Sequence, residues 1–360
     1  MNLHLVGGFL GSGKTTAIIA AARLLMASGQ RVAIITNDQG KYLVDTAFFR
    51  AEGVPTVEVT GGCFCCRFDD LEEHLDFLIE TVRPDVVFAE SVGSCADLVA
   101  TVLKPLQALQ GGSRAPASLS VFTDSRLLLL RLLEEPLPFS DSVIYIFDQQ
   151  IEEASLLVVN KIDLLAPEEQ DKIRRLTAER YPGKTILFQD SRSEENVRQW
   201  LEAIQLGRSP LPSKSLEIDY QRYGQGEAEL AWLDKELTLQ APPGAARQVT
   251  IHFIEQILGQ LAAAQAAVAH LKLLITCDDQ HTKLSITASS GKDWRANLPQ
   301  LGDEPVQVEF NARVQIDPPT LDFIFSYALA SAAKIPGVQV QSAGLPAFKP
   351  DFPKPTHRYK

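Results

Sequence analysis

The sequence predicts a doubly wound, mostly parallel α/β domain over residues 1–206, then a linker over 207–226 and a smaller α+β domain over 227–345. Three observations predict it. Short apolar or β-branched runs alternate with helical patterns from residue 1 to about 206, as βα units do. The stretch from Gly207 to Gly226, GRSPLPSKSLEIDYQRYGQG, is polar and rich in turn formers. Beyond it the order of patterns is roughly βαβββαβ. The chain has 360 residues, 45% of them hydrophobic, which is enough for two cores.

In the first domain the strand-like runs are 3–6, 32–36, 56–60, 86–90, 119–122, 156–160 and 185–188. Their near-continuous apolar character fits strands covered by helices on both faces. A helical pattern runs from Thr15 to Met26 and stops at Ser28-Gly29. In the second domain 229–239, 273–276, 284–287, 306–316 and 338–341 read as strands. Ile251, Ile254, Ile257, Leu258, Leu261 and Val268 recur at helical spacing, and 321–333 reads as a second helix. The tail from Pro346 holds four prolines and is expected to be irregular. No internal repeat is visible.

The net charge of −11 argues against a nucleic-acid or anionic-membrane partner. No apolar run approaches the length of a membrane helix, and residue 1 leads almost directly into the first strand, so a cytoplasmic protein is expected. Five cysteines, three of them at Cys63, Cys65 and Cys66, suit metal or redox chemistry better than a disulfide framework.

Gly8 to Thr15 read GFLGSGKT, a complete phosphate-binding loop between a strand and a helix. Gly8, Gly11, Ser12, Gly13, Lys14, Thr15 and Thr16 are its candidate phosphate contacts. Lys14 would reach the outer phosphates, and the Thr15 hydroxyl would hold Mg²⁺. Asn160, Lys161 and Asp163 belong to an N-K-x-D sequence after a strand. An Asp carboxylate there accepts both N–H donors of guanine's Watson–Crick edge, whereas adenine offers the wrong pattern. Such a site discriminates by roughly 10⁴, which favours GTP over ATP. Ser191, after the last strand of this domain, is a candidate base contact. The strand 86–90 ends in Glu90, a candidate Mg²⁺ carboxylate, and Gly93 can offer its N–H to a γ-phosphate; the ordinary alternative is a strand-capping Glu. Asp38 either polarises the attacking water or closes the second strand in an Asx turn.

Cys63, Cys65 and Cys66 lie within GGCFCC, after the third strand. Three thiols in four residues suit a soft cation such as Zn²⁺. Inert thiols and a reversible redox pair are the alternatives. A fourth ligand must come from elsewhere, with Cys95 the first candidate and Asp38 and His74 next. Cys277 is expected in the core, and His4, His252, His270, His281 and His357 are scattered structural residues. No H-E-x-x-H is present, which places a zinc hydrolase low.

Together, GFLGSGKTT (8–16), TNDQG (36–40), GGCFCC (61–66), ESVGSCAD (90–97), NKID (160–163) and the run 147–165, FDQQIEEASLLVVNKIDLL, resemble the CobW-like metallochaperone GTPases. These share a P-loop class with the nickel-insertion GTPases of urease and hydrogenase. The resemblance covers about residues 1–205. It implies GTP hydrolysis with Mg²⁺, a divalent transition metal at the cysteines, and delivery of metal or cofactor to a client protein. A GTP-driven chaperone for a cofactor-dependent enzyme, such as a corrinoid one, is the alternative, with the metal only structural. Lys41 stands where many members carry Glu, and no His-rich stretch is present. Client recognition is expected in 227–345, and the oligomeric state is open between monomer and homodimer.

Overall fold

The computed structural model describes residues 1–38, 40, 44–109, 118–207, 210–278, 280–290 and 294–360. Gln39, Lys41 and linker residues 208–209 lie outside the described residues. In chain order the first elements are β1 (Asn2–Gly8), α1 (Lys14–Ala27), β2 (Val32–Asp38), α2 (Val44–Ala51), β3 (Thr56–Thr60), α3 (Phe68–Thr81), β4 (Val86–Glu90) and α4 (Lys104–Leu109). They are followed by β5 (Ser118–Asp124), α5 (Ser125–Leu132), α6 (Asp141–Glu153), β6 (Leu156–Asn160), α7 (Pro167–Arg180), β7 (Thr185–Gln189), α8 (Glu194–Gln205) and α9 (Tyr220–Ala228). The chain ends with β8 (Leu230–Gln240), α10 (Ala246–Ala263), β9 (Ala267–Cys277), β10 (Gln280–Ile286), β11 (Val306–Gln315), α11 (Pro318–Ala333) and β12 (Gln339–Ala343). Two compact units result. One comprises Met1–Gln39, Glu52–Gly226 and Phe352–Lys360; the other comprises Gly40–Ala51 and Glu227–Asp351.

In the first unit, β1 to β7 form the expected parallel sheet in the order β3-β2-β4-β1-β5-β6-β7. β1, β4, β5 and β6 are buried along almost their whole length, which is why they read as continuous apolar runs. Register sets the carboxyl ends level: Val6 lies opposite Glu90, Gly8 opposite Phe122, and Asp124 opposite Asn160. His4 is a core residue. Burial pulls its pKa down to about 4, and its Nδ1 lies 2.8 Å from Ser118 Oγ. Trp200 on α8 is fully buried between Phe88 and Phe122 and donates to Ser120 Oγ at 3.0 Å.

Residues 207–226 read as a linker, yet the structure has a helix, α9, over the end of that stretch. Its two glycines serve close packing rather than a turn. A Cβ at Gly226 would come 2.4 Å from the Ser142 carbonyl oxygen, and one at Gly224 would come 2.2 Å from the Phe352 ring. Tyr223, just before Gly224, is buried and accepts the Ala96 N–H at 3.1 Å.

The second unit holds an antiparallel sheet in the order β10-β9-β11-β8-β12, and its elements follow the expected βαβββαβ order. α10 packs on α11, and Phe253, Phe310 and Phe325 meet at ring distances of 5.2 to 6.3 Å. Gly40 and residues 44–51, inside the stretch the sequence assigns to the first domain, belong to this unit. α2 packs on β9, β10 and β11. Asp45 sits between Lys272 Nζ at 2.5 Å and Lys283 Nζ at 2.7 Å, while Val44 N–H donates to Asn311 Oδ1 at 3.1 Å. Burial opposes ionisation of Asp45, but the two ammonium groups outweigh it and hold its carboxyl well below the usual range. Arg313 is buried, donates to Asp234 Oδ1 at 2.6 Å and stacks 3.9 Å from the Trp232 ring centre. Cys277 is in this core, as expected. Among the described residues no helix is long and apolar enough to cross a membrane.

Glu153, the last residue of α6, is buried beneath the chain that follows β4. Its carboxylate accepts the Val99 N–H at 3.3 Å and further N–H groups from Leu98 and Asp97. Burial, then the Asp97 carboxylate, raise its pKa from 4.5 to about 8 against the pull of those N–H groups. The folded chain therefore holds a proton here that the unfolded chain releases above about pH 4.5. Stability from this group is full below that pH and lost as pH rises through about 8. In urea titrations, wild type should match Glu153→Gln near pH 4.5 and fall below it by on the order of a few kcal/mol by pH 8. A difference that does not vary with pH refutes this.

Candidate functional site

The phosphate loop leaves β1 and enters α1 under tight steric constraint. Gly8 and Gly13 have φ of +126° and +94°. A Cβ on Gly8 would come 2.1 Å from the Phe122 carbonyl oxygen, and one on Gly13 would come 2.2 Å from Asn160 Nδ2. Gly11 also has positive φ, +72°. α1 begins with no side-chain cap and no acidic residue in its first turn, which leaves N–H groups facing outward for an anion. Lys14 is buried and donates to the Gly8 carbonyl at 2.8 Å. Ser12 Oγ is buried without a hydrogen-bond partner among the described residues. Thr16 is exposed. These donors fit a polyphosphate.

Thr15 Oγ1 donates to Glu90 Oε1 at 2.8 Å, so the loop's hydroxyl and the β4 carboxylate are adjacent. Such a pair fits Mg²⁺. The chain after β4 stays close to the loop, since a Cβ on Gly93 would come 2.7 Å from Leu10 Cδ2.

Asn160, at the end of β6, braces this loop from the other side. Its Nδ2 donates to the Ser12 carbonyl at 2.8 Å, and its Oδ1 accepts the Ser191 hydroxyl at 2.8 Å and the Ser191 N–H at 3.1 Å. Lys161 follows with φ +61° and pairs with Asp124 at 3.0 Å. Burial alone would raise Asp124, but Lys161 and Arg126 bring it down to about 2. Asp163 is exposed and pairs with Arg192 at 2.5 Å. Exposed pairs are worth about 0–1 kcal/mol, so a guanine base can displace Arg192 at small cost.

The GGCFCC loop hangs on Asn37. Asn37 Nδ2 donates to the Val59 carbonyl at 3.1 Å and the Gly62 carbonyl at 2.7 Å, and its Oδ1 accepts the Phe64 N–H at 2.8 Å. A turn in which Cys66 N–H donates to the Cys63 carbonyl at 2.9 Å then gathers the thiols. Cys63 and Cys65 sulfurs lie 2.6 Å apart, Cys63 and Cys66 3.4 Å, Cys65 and Cys66 3.6 Å. Cys95, buried in the loop after β4, is near enough to the Cys65 thiol to help raise its pKa. Sharing protons with Cys63, Cys66 and Cys95, with burial added, pushes the Cys65 thiol well above its usual pKa; Cys66 rises to about 11, led by its bond to Cys63. Crowded thiols resist ionising together, and a bound cation removes that penalty.

Asp38 ends β2 opposite Thr60. His74 Nε2 lies 2.8 Å from the Glu58 carbonyl oxygen. Among the described residues the thiols of Cys63, Cys65 and Cys66 form one compact donor group, and none of Cys95, Asp38 and His74 joins it. Two residues that carried no separate signal in the sequence matter here: Asn37, hidden inside the strand-end motif, and Gln150. From α6, Gln150 Nε2 donates to the carbonyls of Gly93 at 3.0 Å and Cys95 at 2.8 Å. Gln150 falls within the run 147–165, so the family-like string contained it without revealing its role.

The model of the CobW/HypB/UreG nucleotide-binding domain matches residues 2–188. The zinc chaperone YeiR of Escherichia coli K12 is 24% identical over 332 residues, 81% of this chain and 94% of its own length. The zinc chaperone CobW of Sinorhizobium sp. is 27% identical over 209 residues, 52% of this chain and 58% of its own. Among solved structures, HypB from Helicobacter pylori in complex with nickel has a TM-score of 0.42 at 15% identity, covering 59% of this chain and 92% of that one. Zn(II)-bound YjiA GTPase from E. coli has a TM-score of 0.32 at 14% identity, covering 91% and 98%. With more than half of its length matched, this chain belongs to the CobW/HypB/UreG family of P-loop nucleotide-binding proteins.

Proposed function

We propose that this protein is a GTP-hydrolysing metallochaperone that carries a divalent transition metal, with zinc the first candidate, at Cys63, Cys65, Cys66 and Cys95 and delivers it to a client protein. The observation that carries this reading is the compact group formed by the thiols of Cys63, Cys65 and Cys66, all within 4.8 Å of one another. Cys95, which helps to raise the Cys65 pKa, lies on the segment after β4, which also holds Glu90 beside Thr15 and Gly93 against the phosphate loop. A metal and a γ-phosphate would then restrain the same short stretch of chain, Glu90 to Cys95. The zinc chaperone names of the relatives support the choice of cargo.

In this reading Lys14 turns from the Gly8 carbonyl to the outer phosphates, and the N–H groups at the start of α1 hold the inner ones. Thr15 and Glu90 would hold Mg²⁺, which neutralises phosphate charge when bound. Asp38, at the end of β2, orients the attacking water. Asp163 accepts from the guanine base once Arg192 withdraws, while Asn160 and Ser191 fix its loop.

Hydrolysis is expected on the order of 10⁻³–10⁻² s⁻¹, the range of related enzymes without a partner in trans. Lys14→Ala should abolish it, and unchanged phosphate release would remove the phosphate-loop assignment. Asp163→Asn replaces an acceptor by a donor and should move preference from GTP toward XTP; equal binding of ATP and GTP by wild type contradicts the base assignment.

Metal and nucleotide should each tighten the other by roughly 5–150-fold. Zinc titration of the nucleotide-free, GDP and GTP-analogue forms tests this, with Cys65→Ser and Cys95→Ser as controls. Equal zinc affinity in all three states leaves the metal structural and favours a GTP-driven chaperone for a cofactor-dependent enzyme.

A further inference from the structure

The last nine residues contain none of the motifs above, yet they dock on the thiol site. Phe352 lies against α9 at Gly224, where any side chain would collide with its ring. Lys354 N–H donates to Cys66 Sγ at 3.2 Å, and Thr356 N–H donates to the Cys65 carbonyl at 2.8 Å. The His357 ring stands edge-on to Phe68, 5.1 Å between centres. Arg358 donates from Nε to the buried Asp97 carboxylate at 2.7 Å and from Nη2 to the Leu216 carbonyl at 2.8 Å. Tyr359 N–H donates to the Ala100 carbonyl at 2.9 Å, and its own carbonyl accepts from Ser215 Oγ at 2.7 Å.

Four of these anchors fall on two separate segments. Cys65 and Cys66 follow β3, and Asp97 and Ala100 follow β4. The first segment carries the thiols of Cys65 and Cys66, and the second carries that of Cys95. The tail therefore crosses the seam along which the donor group would have to part. Pro353 and Pro355 restrict its free conformations, so docking costs less entropy than for a segment of the same length without prolines. Its hydrogen bond to the Cys66 sulfur comes from a backbone N–H, which suits thiolate as well as thiol.

We propose that residues 352–360 are a strap that holds the thiol site closed and sets how fast a metal leaves it. This rests on the metal reading above and specifies its control. Withdrawal of the strap frees Cys66 Sγ from its N–H donor and releases the loop after β4 from Arg358.

Two full-length variants test it. Arg358→Ala removes the anchor on Asp97. Gly224→Ala adds a methyl that the Phe352 ring must vacate, and alanine favours the helix it sits in, which guards against unfolding. Zinc release from loaded protein to a chromophoric chelator should quicken about tenfold in each, the effect of losing one charged or packed anchor. In zinc-free protein, Cys66 should alkylate faster in each variant, a readout independent of metal. Unchanged guanine-nucleotide affinity in both reports an intact fold. Wild-type rates of zinc release or of alkylation in both variants overturn the strap. Failure of the metal reading shows differently: wild type retains no zinc, or Cys65→Ser retains as much as wild type.

Discussion

The strands of the first unit all run in one direction, so every loop leaving a carboxyl end falls on a single edge. The phosphate loop after β1, Asp38 at the end of β2, the thiols after β3, Glu90 and Cys95 at and after β4, and Asn160 at the end of β6 are separated by as many as about 150 residues in the chain and reach one edge only through this alignment. β1 is flanked by β4 and β5, which places Glu90 one strand from the phosphate loop and allows the Thr15–Glu90 hydrogen bond. A reversed strand anywhere between β2 and β6 would send its loop to the opposite edge.

Within that edge, three side-chain amides do the local positioning. Asn37 fixes the cysteine loop, Gln150 ties down the carbonyls of Gly93 and Cys95, and Asn160 links the phosphate loop to Ser191. An amide can donate and accept at once without a charge to solvate, which suits a buried brace next to an anionic ligand and a cation. Charged residues at these places would compete for the phosphates or the metal.

Much of this was legible in the sequence because its signals are local. The phosphate loop, the cysteine cluster and the strand pattern are each confined to a few neighbouring residues, and the order of elements in both units follows the sequence pattern. What the sequence concealed depends on long-range packing. Gly224 and Gly226 read as turn formers, and only the proximity of Phe352 and Ser142 explains why glycine is needed within a helix. Lys354 and Cys66 are nearly 300 positions apart, and no pattern of hydrophobicity predicts that a proline-rich tail returns to them. His74 has a sequence position compatible with ligation, but its ring is directed to the Glu58 carbonyl.

The second unit is discontinuous in the chain, and this limits how the protein can be divided. α2 is encoded near the start, but its buried face of Val44, Thr46 and Phe49 and its Asp45 carboxylate are completed by strands more than 200 residues later. A fragment ending at residue 226 would keep the whole parallel sheet while leaving α2 without the surface it packs on and Asp45 without either lysine. A fragment starting at residue 227 would have Lys272 and Lys283 with no carboxylate from α2 and an uncovered stretch of β9 to β11. During synthesis, therefore, α2 must wait on the ribosome for most of the chain to emerge before it has a place to fold.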